Sequence, residues 1–114
     1  MQKRTRKLQF SAGERKKIIA RDNGKCIFCE NGYFTKCGSD FLLSIKETMH
    51  FVPRSAGGLG VEQNGAIGCK YHHEMLDNGS SGRRREMLDF FEKYLRGKYP
   101  GWNREALIYK KYNF

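Results

Sequence analysis

A chain of 114 residues with 39% hydrophobic side chains is one domain, and its core is small enough that a further staple is expected beyond apolar packing. The formal net charge of +10 and a pI near 9.7 point to a polyanionic partner. The basic start, MQKRTRKLQF, leads into no apolar stretch long enough for a signal peptide or a membrane span, so a reducing cytosol is the expected compartment.

The charge is unevenly spread. Residues 1–25 carry nine Lys/Arg against two acids, and residues 83–114 carry nine against four, whereas 26–82 carry four against six. The ends supply the positive field and the centre holds the chemistry. No segment has the broad greasy face of a membrane-surface helix, which favours nucleic acid over lipid as the polyanion.

In chain order, residues 1–9 read as a basic arm. FSAGERKKIIARDNGKC follows as a short helix with Ser11 at its N-cap and Glu14 completing a capping box; Ile18 and Ile19 are expected to face the core. Asp22-Asn23-Gly24 stops this helix and delivers the chain to Cys26, after which residues 26–40 look loop-like. FLLSIKETMHFV is the most strand-like stretch. PRSAGGLGVEQNG, with four glycines and a proline, reads as a long, tightly folded loop. AIGCKYHHEMLDNG looks like a short strand passing into a helix that ends at Asn78-Gly79. RRREMLDFFEKYLRGKY is a second clear helix with Met87, Leu88, Phe91 and Leu95 on one face, broken by Pro100-Gly101. The tail carries Trp102, Leu107, Ile108, Tyr109 and Tyr112, enough apolar surface to dock back on the body.

Two short spacings dominate the centre. Cys26-Ile-Phe-Cys29 lets both sulfurs of one turn reach a single ion, and Cys69-Lys-Tyr-His72 repeats the spacing forty residues on. Together they suit a closed, tetrahedral, structural zinc site, with a disulfide framework, or Cys37 as fourth ligand and His72 free, as the alternatives. His73 and Asp77 stand four residues apart, so on a helix they share one face. That pair suits either a divalent cation with open positions, such as Mg²⁺ or Mn²⁺, or a plain surface hydrogen bond.

The ordered set His50-x-x-Pro53-Arg54-Ser55-x-Gly57-Gly58, then Asn64, then Cys69-x-x-His72-His73, resembles the His-Asn-His (HNH) endonuclease family over about residues 10–80. The flanking RDNGKCIFC and HHEMLDNG runs are similar to members from phages and mobile elements. The resemblance implies an α+β fold: a small ββα-metal core stapled by zinc, flanked by N- and C-terminal helices in a single domain spanning 1–114, with the core at 10–80 and a C-terminal helix and tail at 83–114. It implies His50 as general base, Asn64 as the residue that braces the loop and orients that base, and His73 as a catalytic-metal ligand beside Asp77. It also matches Cys26, Cys29, Cys69 and His72 to the structural zinc set. His72 stands where the family more usually has Cys, and Asp77 where it often has His; the serious departure is Met49, at the position before the general base where the family has a metal ligand, since a thioether suits Mg²⁺ poorly. Asp40 and Glu47 are the carboxylates nearest in sequence that could substitute.

The function implied is hydrolysis of phosphodiester bonds in duplex DNA, by nicking or cutting, with one catalytic divalent metal: Mg²⁺ or Mn²⁺, with Ni²⁺ and Zn²⁺ as further candidates. Arg54, Arg83, Arg84 and Arg85 are the expected contacts to the DNA backbone, the last three opposing the dipole at a helix start. No membrane partner is expected; a second copy of the chain, or another protein of the phage or mobile element, is a candidate partner, and the bacterial host cytoplasm the expected location. The alternatives are a catalytically weakened nucleic-acid-binding or regulatory module of the same fold, and a protein-binding effector that uses the aromatic tail.

Overall fold

Ser11 and Asn23 set the limits of the first long helix. In the computed structural model, which describes residues 3–33, 39–79 and 82–110, the Ser11 hydroxyl accepts the Glu14 N–H at 3.1 Å and opens helix α2, Ala12–Asp22. Asn23, at φ 56°, closes it. The reciprocal half of the expected capping box is put to other use: the Glu14 carboxylate accepts the Glu62 N–H at 2.9 Å and pairs with Lys17. Only Ile18 faces the core. Ile19 is 49% exposed, because neighbouring helix positions point about 100° apart.

Three segments differ from the sequence reading. Residues expected as an arm form a helix, α1, Lys3–Leu8, whose seat is tertiary: Leu8 is buried, and the Lys7 carbonyl accepts the Gly60 N–H at 2.9 Å. In the stretch expected to be loop, Ile27–Glu30 closes one turn of helix, α3, under the Cys26 sulfur. The strand expected from Phe41 onward starts only at Lys46. Ser39 caps a short helix, α4, Asp40–Ser44, by accepting the Leu42 N–H at 3.1 Å, an N-cap signal that outweighs the β-branched and aromatic bias after it.

Strand β1, Lys46–His50, pairs antiparallel with β2, Gly65–Cys69, in the register Lys46↔Cys69 to His50↔Gly65. The loop between them is tightly folded as expected and holds two 3₁₀ turns, Arg54–Ala56 and Glu62–Asn64. β2 is buried along its whole length and leads straight into helix α5, Lys70–Asn78, which Gly79 ends at φ 60°. Gly68 leaves room for the Met49 side chain where the two strands pair: a Cβ there would meet the Met49 sulfur at 2.2 Å.

Helix α6, Arg84–Lys98, buries Met87, Phe91 and Leu95, with Leu88 only partly covered. Phe51 meets Phe91 and Trp102 edge-on, each at 5.4 Å between ring centroids, and with Phe28, Met49, Val52 and Leu76 these rings form the main core. The tail docks as expected: Trp102 and Leu107 are buried, and the Trp102 indole N–H donates to the Gln63 carbonyl at 2.7 Å. Tyr112 lies outside the described residues.

A polar node ties α2 to β2 and α6. The buried Asp22 carboxylate accepts from Arg21 at 2.7 Å, from the Ile67 N–H at 2.8 Å and from the Tyr94 hydroxyl, and Arg21 donates onward to the Gly65 carbonyl at 2.6 Å. Every partner of this buried carboxylate is a donor, which is what makes its burial tolerable. Among the described residues no helix is long and apolar enough to cross a membrane. The architecture is thus a small α+β fold whose two-stranded sheet carries helices around it.

Candidate functional site

The four expected zinc ligands come together. Cys26 caps α3, Cys29 follows within it, Cys69 ends β2 and caps α5, and His72 lies in the first turn of α5. Their donor atoms all lie within 4.8 Å of one another. The His72 Nδ1 is 3.6, 3.5 and 3.2 Å from the Cys26, Cys29 and Cys69 sulfurs, and the Cys29 and Cys69 sulfurs are 3.7 Å apart. A tetrahedron with Zn–S of about 2.3 Å and Zn–N of about 2.0 Å has S···S edges of about 3.7 Å and S···N edges of about 3.5 Å, so the donor set fits that ion.

The surroundings agree with the donor set. The other nitrogen of His72 donates to the Tyr33 carbonyl at 2.5 Å, which fixes the tautomer that turns Nδ1 toward the sulfurs. The hydrogen bond from Cys69 holds the Cys26 thiol well down, the same bond pushes Cys69 up, and burial pushes Cys29 up. A bound cation would displace the remaining thiol protons, so loading is proton-coupled. The site joins the turn at α3 to the β2–α5 junction, across about forty residues of sequence. Cys37 lies outside the described residues.

Beside β1 opens a cleft of about 710 Å³, lined among others by His50, His73 and Asp77 and by Arg15, Arg54 and Arg84. His50 ends β1 and is half-buried; its Nε2 lies 2.7 Å from the Leu8 carbonyl. Burial holds its pKa below the ordinary imidazole value, aided by Arg54 and His73 and opposed by the Leu8 carbonyl and Asp77. An imidazole that is neutral at physiological pH is able to accept a proton.

His73 projects from α5 between two carboxylates, with Nε2 3.2 Å from Asp77 and Nδ1 3.0 Å from Glu47 on β1. The i, i+4 pairing is therefore the one that the spacing predicts. Among the described residues, however, only the Cys3His set gathers three or more such donors around one point. Glu47 meets the opposite nitrogen of the ring from Asp77. An ion beside Asp77 would have His73 and Asp77 as protein ligands, and Glu47 would orient the imidazole from behind. Asp40 does not line the cleft.

Met49 cannot reach any of this. It is fully buried, with its sulfur packed over Gly68 in the core. Asn64 is also fully buried and does not line the cleft; its side chain bonds Val52 and Leu59, so it braces the loop that carries Arg54. Of the three consecutive arginines, Arg84 lines the cleft while donating to the Leu76 carbonyl at 2.7 Å, Arg83 pairs with Glu86, and Arg85 is exposed. Arg15, Gln9 and Phe10 also line the cleft, beyond the expected set. Nothing in their local sequence marks them, because the folded position of α1 and α2 brings them there. No protein-family model, curated protein or solved structure matches this chain.

Proposed function

We propose that this protein is a small metal-dependent endonuclease of the HNH type that nicks duplex DNA. The observation that carries the reading is the pairing of His50, at the end of β1, with His73 and Asp77, on the facing helix, in one cleft flanked by Arg15, Arg54 and Arg84. His50 takes the proton from a water molecule as that water attacks the phosphorus in line with the departing 3′ oxygen. His73 and Asp77 hold the divalent cation, which when bound supplies Lewis-acid stabilisation of the phosphate and the leaving oxygen. The arginines neutralise neighbouring phosphates without reading bases, so binding is expected to be insensitive to sequence and steeply dependent on salt. The Cys3His site serves stability, and none of its four residues lines the cleft in which the chemistry takes place.

Incubating the protein and its His50→Ala variant with supercoiled plasmid in Mg²⁺, Mn²⁺, Ni²⁺ or EDTA tests this. Relaxed or linear product that needs metal and vanishes in the variant is the expected result. A second reading has its own support, since Met49 is withdrawn into the core and, among the described residues, His73 and Asp77 are the two ligands left for a catalytic ion. It is a DNA-binding module of the same fold without catalysis. Plasmid that is shifted on gels yet intact in every metal would establish that reading and remove the first.

A further inference from the structure

The segment Lys7–Phe10 reaches His50 from outside the hairpin and its helix. The Leu8 carbonyl meets His50 Nε2 at 2.7 Å, and the Phe10 ring lies against the imidazole with centroids 4.2 Å apart at 41°. A carbonyl oxygen has no proton to give. Nε2 therefore carries the hydrogen, and in the neutral ring the lone pair is left on Nδ1.

This wall is clamped at a distance from the imidazole. Gly60 donates its N–H to the Lys7 carbonyl at 2.9 Å, Leu8 is buried, and Phe10 packs with Ile18 and Ile67. The close approach needs a residue without a side chain: a Cβ on Gly60 would lie 2.1 Å from the Gln9 oxygen and 2.6 Å from the Phe10 nitrogen, both backbone atoms. Neither Gly60 nor Gln9 is bonded to His50, so the seat can be disturbed without touching the ring.

We infer that Leu8 and Phe10 are positioning residues: seated against Gly60, they hold His50 with Nε2–H tied to Leu8 and Nδ1 as the ring's only proton acceptor, so His50 is competent only while this segment is docked. The inference rests on reading His50 as the base, but its geometric content can be measured separately.

The test uses the full-length, zinc-loaded, ¹⁵N-labelled chain with Gly60→Ala and Leu8→Ala beside it. In the wild type, His50 should show a ring Nε2–H resonance protected from exchange with water and close in space to Leu8 and Phe10. Both variants should lose that protection, and kcat for plasmid nicking should fall about tenfold with KM within about twofold, a part of what a general base contributes. A wild-type ring carrying its hydrogen on Nδ1 overturns the inference. So does a variant in which the resonances of residues 7–10 move while the His50 signal and kcat stay as in the wild type. If Gly60→Ala fails to fold, the wild-type spectrum and Leu8→Ala decide. A protected Nε2–H in a wild-type protein that never nicks DNA refutes the base and leaves the contact, so the two failures are distinguishable.

Discussion

Asn64 is bonded to Val52 through both of that residue's backbone groups: its Oδ1 accepts the Val52 N–H at 2.8 Å and its Nδ2 donates to the Val52 carbonyl at 3.1 Å. Nδ2 also donates to the Leu59 carbonyl at 2.8 Å. One amide thus closes the loop between the strands, and both Asn64 and Val52 are fully buried. Asn64→Ala strands these backbone groups and should cost about 3 kcal/mol or more, because each buried unpaired group costs about 1–3 kcal/mol. Urea unfolding should show the midpoint falling with an unchanged slope. A loss below about 1 kcal/mol would contradict this account of the loop.

The Cys3His geometry makes a stoichiometric claim. One zinc per chain is expected by elemental analysis, and Cys26→Ser or His72→Ala should lose it together with the thermal transition. Cys37→Ser should keep it, since four donors are already assembled without that residue. His72→Cys should also keep it, because zinc sites of four cysteines and of three cysteines with one histidine are both tetrahedral. Retained metal in Cys26→Ser with metal lost in Cys37→Ser would place the site elsewhere.

His50 sets an acid limb. Its folded pKa is lowered from the ordinary 6.5, chiefly by burial, with Arg54 and His73 acting in the same direction and the Leu8 carbonyl and Asp77 against it. The base form should therefore persist below pH 6.5, and nicking should lose half its rate at a pH under that value. The sign for stability follows. With the folded pKa depressed, the unfolded chain takes up the proton first as pH falls through 6.5, so His50 lowers stability between 6.5 and its folded pKa. His50→Ala should flatten that slope. An acid limb centred above pH 6.5 would contradict the burial of this ring.

Met49→Asp separates sequence analogy from geometry. It installs the residue type that the HNH pattern favours before the general base, yet the Met49 side chain lies in the core against Gly68. The substitution should destabilise by several kcal/mol, on the order of 3, and should not increase metal-dependent nicking. A gain in activity would mean that β1 presents position 49 to the cleft.

The arginines of the cleft should be visible in salt titrations. DNA affinity measured by fluorescence anisotropy should fall linearly on a log–log plot against salt. Arg15→Ala and Arg54→Ala should each reduce the slope by about 1, with similar losses on unrelated sequences. A slope unchanged in both variants would move the DNA contact off this cleft.

Much of this is legible without coordinates where the signal is local. The i, i+3 spacing of Cys26/Cys29 and Cys69/His72 puts each ligand pair within one turn, Gly79 marks the end of α5, and Met87, Phe91 and Leu95 mark the buried stripe of α6. A candidate zinc site follows from such short-range rules, whereas the α+β class comes from the resemblance. The departures have two kinds of cause: at Ile19 and at α4 one local rule outweighs another, the 100° step of a helix and the Ser39 cap, whereas α1 owes its seat to a tertiary partner. Ser39 outweighs the strand bias after it, and Gly60 turns a basic arm into a seated helix.

What the chain's sequence determined by itself is the set of elements whose start, stop and ligand spacing lie within one or two turns, because a cap or a chelating turn acts over a few residues. Tertiary structure alone decided that Met49 is withdrawn, that Glu47 backs His73, and that Leu8, Phe10 and Arg15 stand around His50. Each of those contacts joins segments some 25 to 40 residues apart, or depends on which face of a two-stranded sheet a side chain takes, and neither is set by the nearest neighbours along the chain.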